Sequence, residues 1–443
     1  MVEEALTSAV IAGFCYRAAM RSLFCLLAAL ISFPPVVMAQ DSMTVIKAAH
    51  LIDPVAGKML TDQVIVISGD RIAAFGAAAD ILVPADAQLI DLGTATVLPG
   101  LIDAHVHLTN DYRQQGYQKL QYSIPRMALH GAYNARRTLE AGFTAVRNLG
   151  AAGYSDIAIR DAIVAGELPG PRMRVSGPPI GSTGGHCDSN WLPPRYQDRA
   201  AGVADGPWAI REKVRETRKF GADIIKFCAT GGVLSKGDPV GDQQLTQEEM
   251  NALVDEAHRM GFKVAAHAHG TEGINAAIDA GVDSVEHASL IDERGIRLAK
   301  RWGTVLVMDI YVDTYILEHG TEFGLLPESL EKEKEIGQLQ RDNFRKAHNA
   351  GVKMAFGSDA AIFPHGTNAK QFAYMVEYGM SAMEAIQAAT VNAAELLGWD
   401  EDIGAIAPGY FADIIAVAGN PLENVTVLED VRFVMQGGKV VKQ

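Results

Sequence analysis

The spacing of hydrophobic positions changes style along the 443 residues. From residue 44, TVIKAAHLIDPVAGKMLTDQVIVISGDRIAAFG sets short β-branched runs between turn residues (DP, AGK, SGD). That pattern predicts antiparallel strands joined by hairpins. ADIIAVAGNP and VRFVMQGGKVV return to the same style near the C-terminal end. Two strand-rich ends around a different middle predict one small β-sandwich built from residues 40–97 plus 403–443.

Between about residues 97 and 400, apolar runs alternate with segments of helical periodicity, the pattern of parallel βα units. The candidate strands are TVLPGLIDAHVH, FTAVRNLG, RMRVSG, ADIIKFCAT, KVAAHAHG, SVEHAS, TVLVMD and KMAFGSDA. The clearest helix is TQEEMNALVDEAHRMG, where Thr246 and Glu249 have capping-box spacing and Gly261 is a stop signal. Eight units predict an α/β fold, a closed (β/α)8 TIM barrel over residues 98–402, rather than an open doubly wound sheet. The stretch from Gly177 to Pro207 is rich in Gly, Pro, Ser and Asp. A loop of that length is functional or mobile more often than a plain connector.

The first forty residues follow a third pattern. Met20-Arg21 opens a short basic region before SLFCLLAALISF, and Val37 and Ala39 stand where a signal peptidase reads small residues. This predicts a leader over residues 1–39, with Met20 as an alternative start, and a periplasmic or secreted product. An uncleaved anchor is the competing reading, opposed by the short run and by Pro34 and Pro35. No membrane span is expected in the mature chain. A hydrophobic share of 48% allows a substantial core, and a net charge of -14 argues against a nucleic-acid partner, which would need a basic surplus. Cys15 and Cys25 fall in the leader, leaving Cys187 and Cys228. With no disulfide framework, two core thiols are the preferred reading and a single bridge the other.

In barrel enzymes the chemistry gathers at the C-terminal ends of the strands. Strand one ends in His105-Val-His107, and residues two apart on a strand face the same way. Strand four carries Lys226, strand five ends His267-Ala-His269, strand six Glu286-His287, and strand eight Ser358-Asp359. A lone strand histidine is usually a hydrogen-bonded core residue. Five strands ending in ligand-type side chains at one end of one barrel point instead to a transition-series ion such as zinc.

These residues resemble the amidohydrolase superfamily: the HVH after LPGLIDA, the lysine of GADIIKFCATGG, His267, His287 and the aspartate of GSDA. GFTAVRNLG, GGH, ATGGVLS, AAHAHG and PHGTN are similar to the branch of Xaa-Pro dipeptidases, related carboxypeptidases and ochratoxin-hydrolysing amidases. One departure is Asn148, where that branch would place Asp. The resemblance implies that two divalent ions, zinc by default, are held by His105, His107 and Asp359 on one side and by His267 and His287 on the other. Lys226 would bridge them as a carbamate formed with CO2. A metal-bridged hydroxide would attack the amide, with Asp359 as general base and then acid. His186 would contact the substrate or its oxyanion.

His269 is read as pointing away from His267, in a supporting position. His365 and Tyr311, with Tyr315 nearby, are candidate pocket residues. The implied substrate is a small amide, a dipeptide or an N-acyl amino acid, and the implied assembly a homo-oligomer such as an octamer. The alternatives are a lactone or cyclic-amide hydrolase resembling imidazolonepropionase, and a catalytically inactive binding protein on the same fold.

Overall fold

A computed structural model describes residues 43–443, so the expected leader over residues 1–39 lies outside the described residues. The N-terminal hairpins form where the turn residues placed them. β1 (Thr44–Asp53) runs antiparallel to β2 (Lys58–Ser68), which runs antiparallel to β3 (Arg71–Ala77). The first turn is closed by Asp53 Oδ1, which accepts from the backbone N–H of Val55 and of Ala56 at 3.0 Å. Gly57 finishes that turn at φ +64°, a conformation that favours glycine. β4 (Gln88–Asp91) and β5 (Thr96–Pro99) lie parallel to β1, pairing with successive parts of it.

The middle of the chain supplies parallel strands. β6 (Leu101–Val106), β7 (Phe143–Asn148) and β8 (Arg172–Val175) form one sheet. β9 (Ile224–Cys228), β10 (Lys263–Ala268), β11 (Ser284–His287) and β12 (Val305–Val307) form a second. The expected eighth strand is not regular. Its segment pairs only through single bridges, Leu306 with Met354 and Val106 with Ala360. A further single bridge, Ile180 with Phe227, links the chain beyond β8 to β9. Gly357 explains the irregular approach: a Cβ there would lie 2.2 Å from Val307 Cγ1 and 2.9 Å from His105 Cβ.

Between the strands run helices whose apolar faces cover the sheets. Helix Gln247–Arg259 carries the expected capping box at Thr246 and Glu249, and it buries Met250, Leu253, Val254 and Ala257. That i, i+3, i+4, i+7 spacing makes one face, and each large side chain contributes about 1.5–3 kcal/mol when fully buried. On β9, Ile225 and Phe227 join this core, so Lys226 between them projects to the opposite side of the strand.

β13 (Ile414–Val417), β14 (Val431–Gln436) and β15 (Lys439–Lys442) return to the N-terminal strands, β13 pairing with β5. The result is one eight-stranded sheet in the order β15-β14-β13-β5-β1-β2-β3, with β4 on β1, rather than two separate sheets. Ile46 and Leu51 of β1, Ile65 and Ile67 of β2, Ile414 of β13 and Phe433 of β14 share one cluster, so the sheet curls around its own core. The opposite faces of β13 and β14, through Ile415, Val417 and Val434, pack into the core of the parallel strands and helices. Among the described residues, no helix is long and apolar enough to cross a membrane.

Candidate metal centre

Strand ends, loops and one long helix converge on a cavity of about 300 Å3. His105 is the fifth residue of β6, and His107 stands just past its end. His105 Nδ1 lies 3.0 Å from Glu286 Oε2 without hydrogen-bond alignment, and His105 Nε2 lies 3.6 Å from Asp359 Oδ1. His107 Nε2 comes to 3.2 Å from the same oxygen. Asp359 reaches this position from a left-handed backbone, φ +55°, which costs energy in any residue but glycine. Burial pushes its carboxyl up, yet the imidazoles of His107 and His105 outweigh that and hold it below the usual carboxylate range.

Strand five repeats the arrangement. His267 is the fifth residue of β10, and His269 stands just past the strand. The expectation that His269 points away is corrected: residues two apart share a side, and the rings of His267 and His269 are 4.8 Å apart. His269 Nδ1 is 2.8 Å from Ser289 Oγ. His287 ends β11 at φ +67°, its Nδ1 2.9 Å from Asp309 Oδ1. Burial holds His105, His267 and His269 well below the usual histidine value, and the other imidazoles and Lys226 add to the effect. Asp309, against the pull of burial, holds His287 above it.

Lys226 is buried and lines the same cavity as these rings. Burial lowers its amine to about 8, opposed by Glu286. Glu286 is itself held by Arg147, whose NH2 donates to Glu286 Oε1 at 2.8 Å and whose Nε donates to the carbonyl of Ala104 at 2.6 Å. The position of His105 therefore depends on strands two and six.

Three sets of side chains bring potential ligand atoms within 4.8 Å of one another: His105, His107 and Asp359; His267, His269 and His287; and His287, Asp309 and Asp359. The buried Nε2 atoms of His105 and His267 have no hydrogen-bond partner. A buried, neutral imidazole with an unused ring nitrogen is the form that binds a divalent ion. The residues present fit such an ion.

His186 lies at the same cavity, its ring stacked 4.0 Å from that of His267 at 8°. His186 Nδ1 is 2.8 Å from Ser235 Oγ. Gly232 permits this stack, since a Cβ there would lie 2.3 Å from His186 Cε1 and 2.9 Å from His267 Nε2. The next residue, Cys187, is disulfide-bonded to Cys228 with a Cα–Cα distance of 5.9 Å. The preferred reading of two free thiols is therefore corrected. The long loop lies along β9, with Ile180 N donating to Lys226 O and Cys228 N donating to Ile180 O, and this brings together cysteines 41 residues apart.

Three other candidates fall outside the cavity lining. Tyr311 is buried against Phe363 and Tyr374, and Tyr315 packs by the same cluster. His365 sits behind His107, its Nδ1 3.0 Å from Thr138 Oγ1, and borders a different cavity. Asn148 anchors the chain after His107 by accepting from Leu108 N at 2.7 Å, and its amide donates to Asp156 Oδ2 at 3.2 Å. An aspartate at position 148 would face that carboxyl, so asparagine suits the site.

Reasoning from sequence placed Glu286 at a strand end without its role beside His105, and it missed Asp309, Arg147, Asp313 and Glu333. Asp309 closes TVLVMD, so the rule about polar residues at strand ends could have found it. The others have no local signal, because their partners lie on different elements.

Residues 96–441 match the amidohydrolase family. The chain is 36% identical over 440 residues to ochratoxinase of Aspergillus niger, covering 92% of this chain and 89% of that protein. Among solved structures, it is similar to a Xaa-Pro dipeptidase with methionine bound in its active site, with TM-score 0.85, 41% identity, and coverage of 91% of this chain and 100% of that one. It is also similar to a prolidase complexed with N-methylphosphonate-L-proline, with TM-score 0.83, 33% identity and the same coverage.

Proposed function

We propose that this chain, which belongs to the amidohydrolase family, hydrolyses amide bonds in dipeptides or N-acyl amino acids with a pair of divalent metal ions. The observation that carries this reading is the cluster of histidines and Asp359 at the strand ends, with the Nε2 atoms of His105 and His267 buried and unpartnered. The similarity to ochratoxinase, a Xaa-Pro dipeptidase and a prolidase supports the substrate class. The single bridges at Ile180, Leu306 and Ala360 support a closed eight-unit barrel. The leader motif supports export, and a homo-oligomeric assembly belongs to the same proposal.

His105, His107 and Asp359 would hold one ion, His267 and His287 the other, with Lys226 between them as a carbamate. An amine lowered to about 8 is partly neutral near physiological pH and so able to add CO2. Zinc or a similar ion supplies Lewis acidity that activates a water and polarises the amide carbonyl. Asp359, held ionised by its histidines, accepts the proton of the attacking water and passes it to the leaving nitrogen. His186 Nδ1 would accept the hydroxyl of Ser235, so that Nε2–H donates to the carbonyl oxygen as negative charge grows there. Arg147 holds the backbone beside His105 through Ala104 O and places the Glu286 carboxylate against the His105 ring, and Asp309 orients His287.

The test is mass-spectrometric. Protein supplied with zinc and bicarbonate meets a pooled library of dipeptides, N-acyl amino acids and ochratoxin A, beside Asp359→Asn. Release of C-terminal amino acids by the unsubstituted protein alone is the expected result. No cleavage by protein carrying two metals per chain overturns the substrate class and directs attention to lactones and cyclic amides.

A further inference from the structure

One wall of the cavity carries two carboxyl groups that the mechanism does not use. Asp313 stands on helix Val312–His319 and Glu333 on helix Pro327–Asn349. Each is 2% exposed. Among the described residues no third group hydrogen-bonds Asp313 Oδ2 or Glu333 Oε1, and the two carboxyls face each other. The space they share exists because residue 337 is glycine: a Cβ there would lie 2.6 Å from Glu333 Oε1 and 3.3 Å from Asp313 Cβ.

The charges around the pair are already committed. Arg341 Nε is 3.4 Å from Asp313 Oδ2, but it donates to Ile310 O at 3.0 Å, and its NH2 donates to Thr314 Oγ1 at 2.6 Å. Lys332 Nζ is spent on Gly232 O, Ser235 O and Asp238 Oδ1. His287 and Gln340 are both taken up by Asp309. Burial, then mutual repulsion, pushes Asp313 well above its usual range, and burial raises Glu333 to about 7. Without a ligand the two carboxyls share a proton through the hydrogen bond between them, and a cation placed there would take that proton's place. Such arrangements persist where a ligand supplies the opposite charge.

We propose that Asp313 and Glu333 form a subsite for a cationic group of the substrate, either its free α-ammonium or a basic side chain. This rests on the amide-hydrolase reading and narrows it: substrates carrying a cation would be preferred over neutral N-acyl amino acids. An ammonium or guanidinium entering the cavity would take both facing oxygens, while the amide bond lies at the histidines and Asp359.

The experiment measures binding rather than turnover. Zinc-loaded Asp359→Asn protein is titrated calorimetrically with three probes of one carbon skeleton: Nα-acetyl-L-norleucine, L-norleucine and Nα-acetyl-L-lysine. At least one cationic probe is expected to bind about tenfold or more tightly than the neutral one, the scale of one charge-assisted hydrogen bond. Preference for L-norleucine assigns the pair to the α-ammonium, and preference for Nα-acetyl-L-lysine assigns it to a side chain. Adding Glu333→Gln or Asp313→Asn should bring the favoured probe down toward the neutral one. Equal affinities for the three probes, no binding of any, or a preference that survives both substitutions overturns the subsite. The three-probe comparison decides even where a substituted protein does not fold. Dipeptide cleavage by the unsubstituted protein tests the reaction separately, so cleavage without cation preference sinks only the subsite, and preference without cleavage sinks only the reaction.

Discussion

The two histidine pairs occupy matching places on their strands and have opposite electrostatic surroundings. His105 and His267 are each the fifth of six strand residues, and His107 and His269 each follow the strand end by one. The first pair faces carboxylates: Glu286 at 3.0 Å and Asp359 at 3.2 and 3.6 Å. The second faces other imidazoles and hydroxyls: His186 stacked at 4.0 Å, His287 at 4.7 Å and Ser289 at 2.8 Å. A motif therefore sets where ligand atoms stand, while residues brought from elsewhere decide what charge they share. The first half can carry proton chemistry because an ionised acid is built into it. The second half presents neutral ring nitrogens and depends on what binds.

The largest effect should come from removing the acid that distinguishes the first pair. Asp359→Asn is expected to lower kcat on a cleaved dipeptide by about a thousandfold or more, since a proton carrier and a ligand are lost together. A loss of less than tenfold in metal-loaded protein would mean that the proton passes elsewhere and the two halves are not functionally distinct.

Next is the strap over the second pair. The Cys187–Cys228 bridge fastens the loop carrying His186 to the end of β9. Replacing both cysteines by alanine should cost about 2–4 kcal/mol in urea unfolding, the usual contribution of a bridge closing a loop of this size. A larger fractional loss in kcat than in metal content would show that the bridge positions His186. Equal losses would limit it to stability.

A third measurement compares the pairs directly. His107 lies within reach of an acid, whereas His269 is engaged with Ser289, which in turn donates to Gln340 and so connects to Asp309. His269→Asn should weaken metal binding by about 10–100-fold, the range for a residue that supports ligands. His107→Asn should weaken it further. If His269→Asn proves the more damaging, the ligand sets need redrawing with His269 as a direct ligand.

The outline of the candidate metal centre was legible because strand alternation and βα order are local properties of a sequence. The five ligand-bearing strand ends converge as the pattern implied. What failed depended on distant parts of the chain. Tyr311 and His365 lie near the right strand ends in sequence, but Tyr311 is turned into a cluster with Phe363 and Tyr374, and His365 is held by Thr138 behind His107. The error at His269 was different in kind, since the alternation rule applied to His105 and His107 covered it too. The eighth strand was visible as an apolar run, but Gly357 and the left-handed Asp359 keep it from pairing regularly. Glu333 offered no signal, because only the fold of helix Pro327–Asn349 places it on the cavity.

The smallest effect concerns metal-free protein as the pH falls. Burial holds His267 and His269 well below 6.5 in the folded chain, while in the unfolded chain they titrate near about 6.5. Below that value the unfolded state binds more protons than the folded one, so stability falls with pH until the folded pKa is reached. Asp359 behaves differently. Its depressed carboxyl contributes stability that is fully present above the unfolded carboxylate value of about 3.9 and is lost only as the pH drops below it. Between pH 6.5 and 5 the decline therefore belongs to the buried imidazoles and not to the acid of the first pair. Removing one of them by His269→Asn should make the decline shallower by about 1.4 kcal/mol per pH unit, measured by urea unfolding at several pH values. Identical slopes in the two proteins would mean that His269 is already charged in the folded chain, and the contrast between a compensated and an uncompensated half would then fail at the residue where it is strongest.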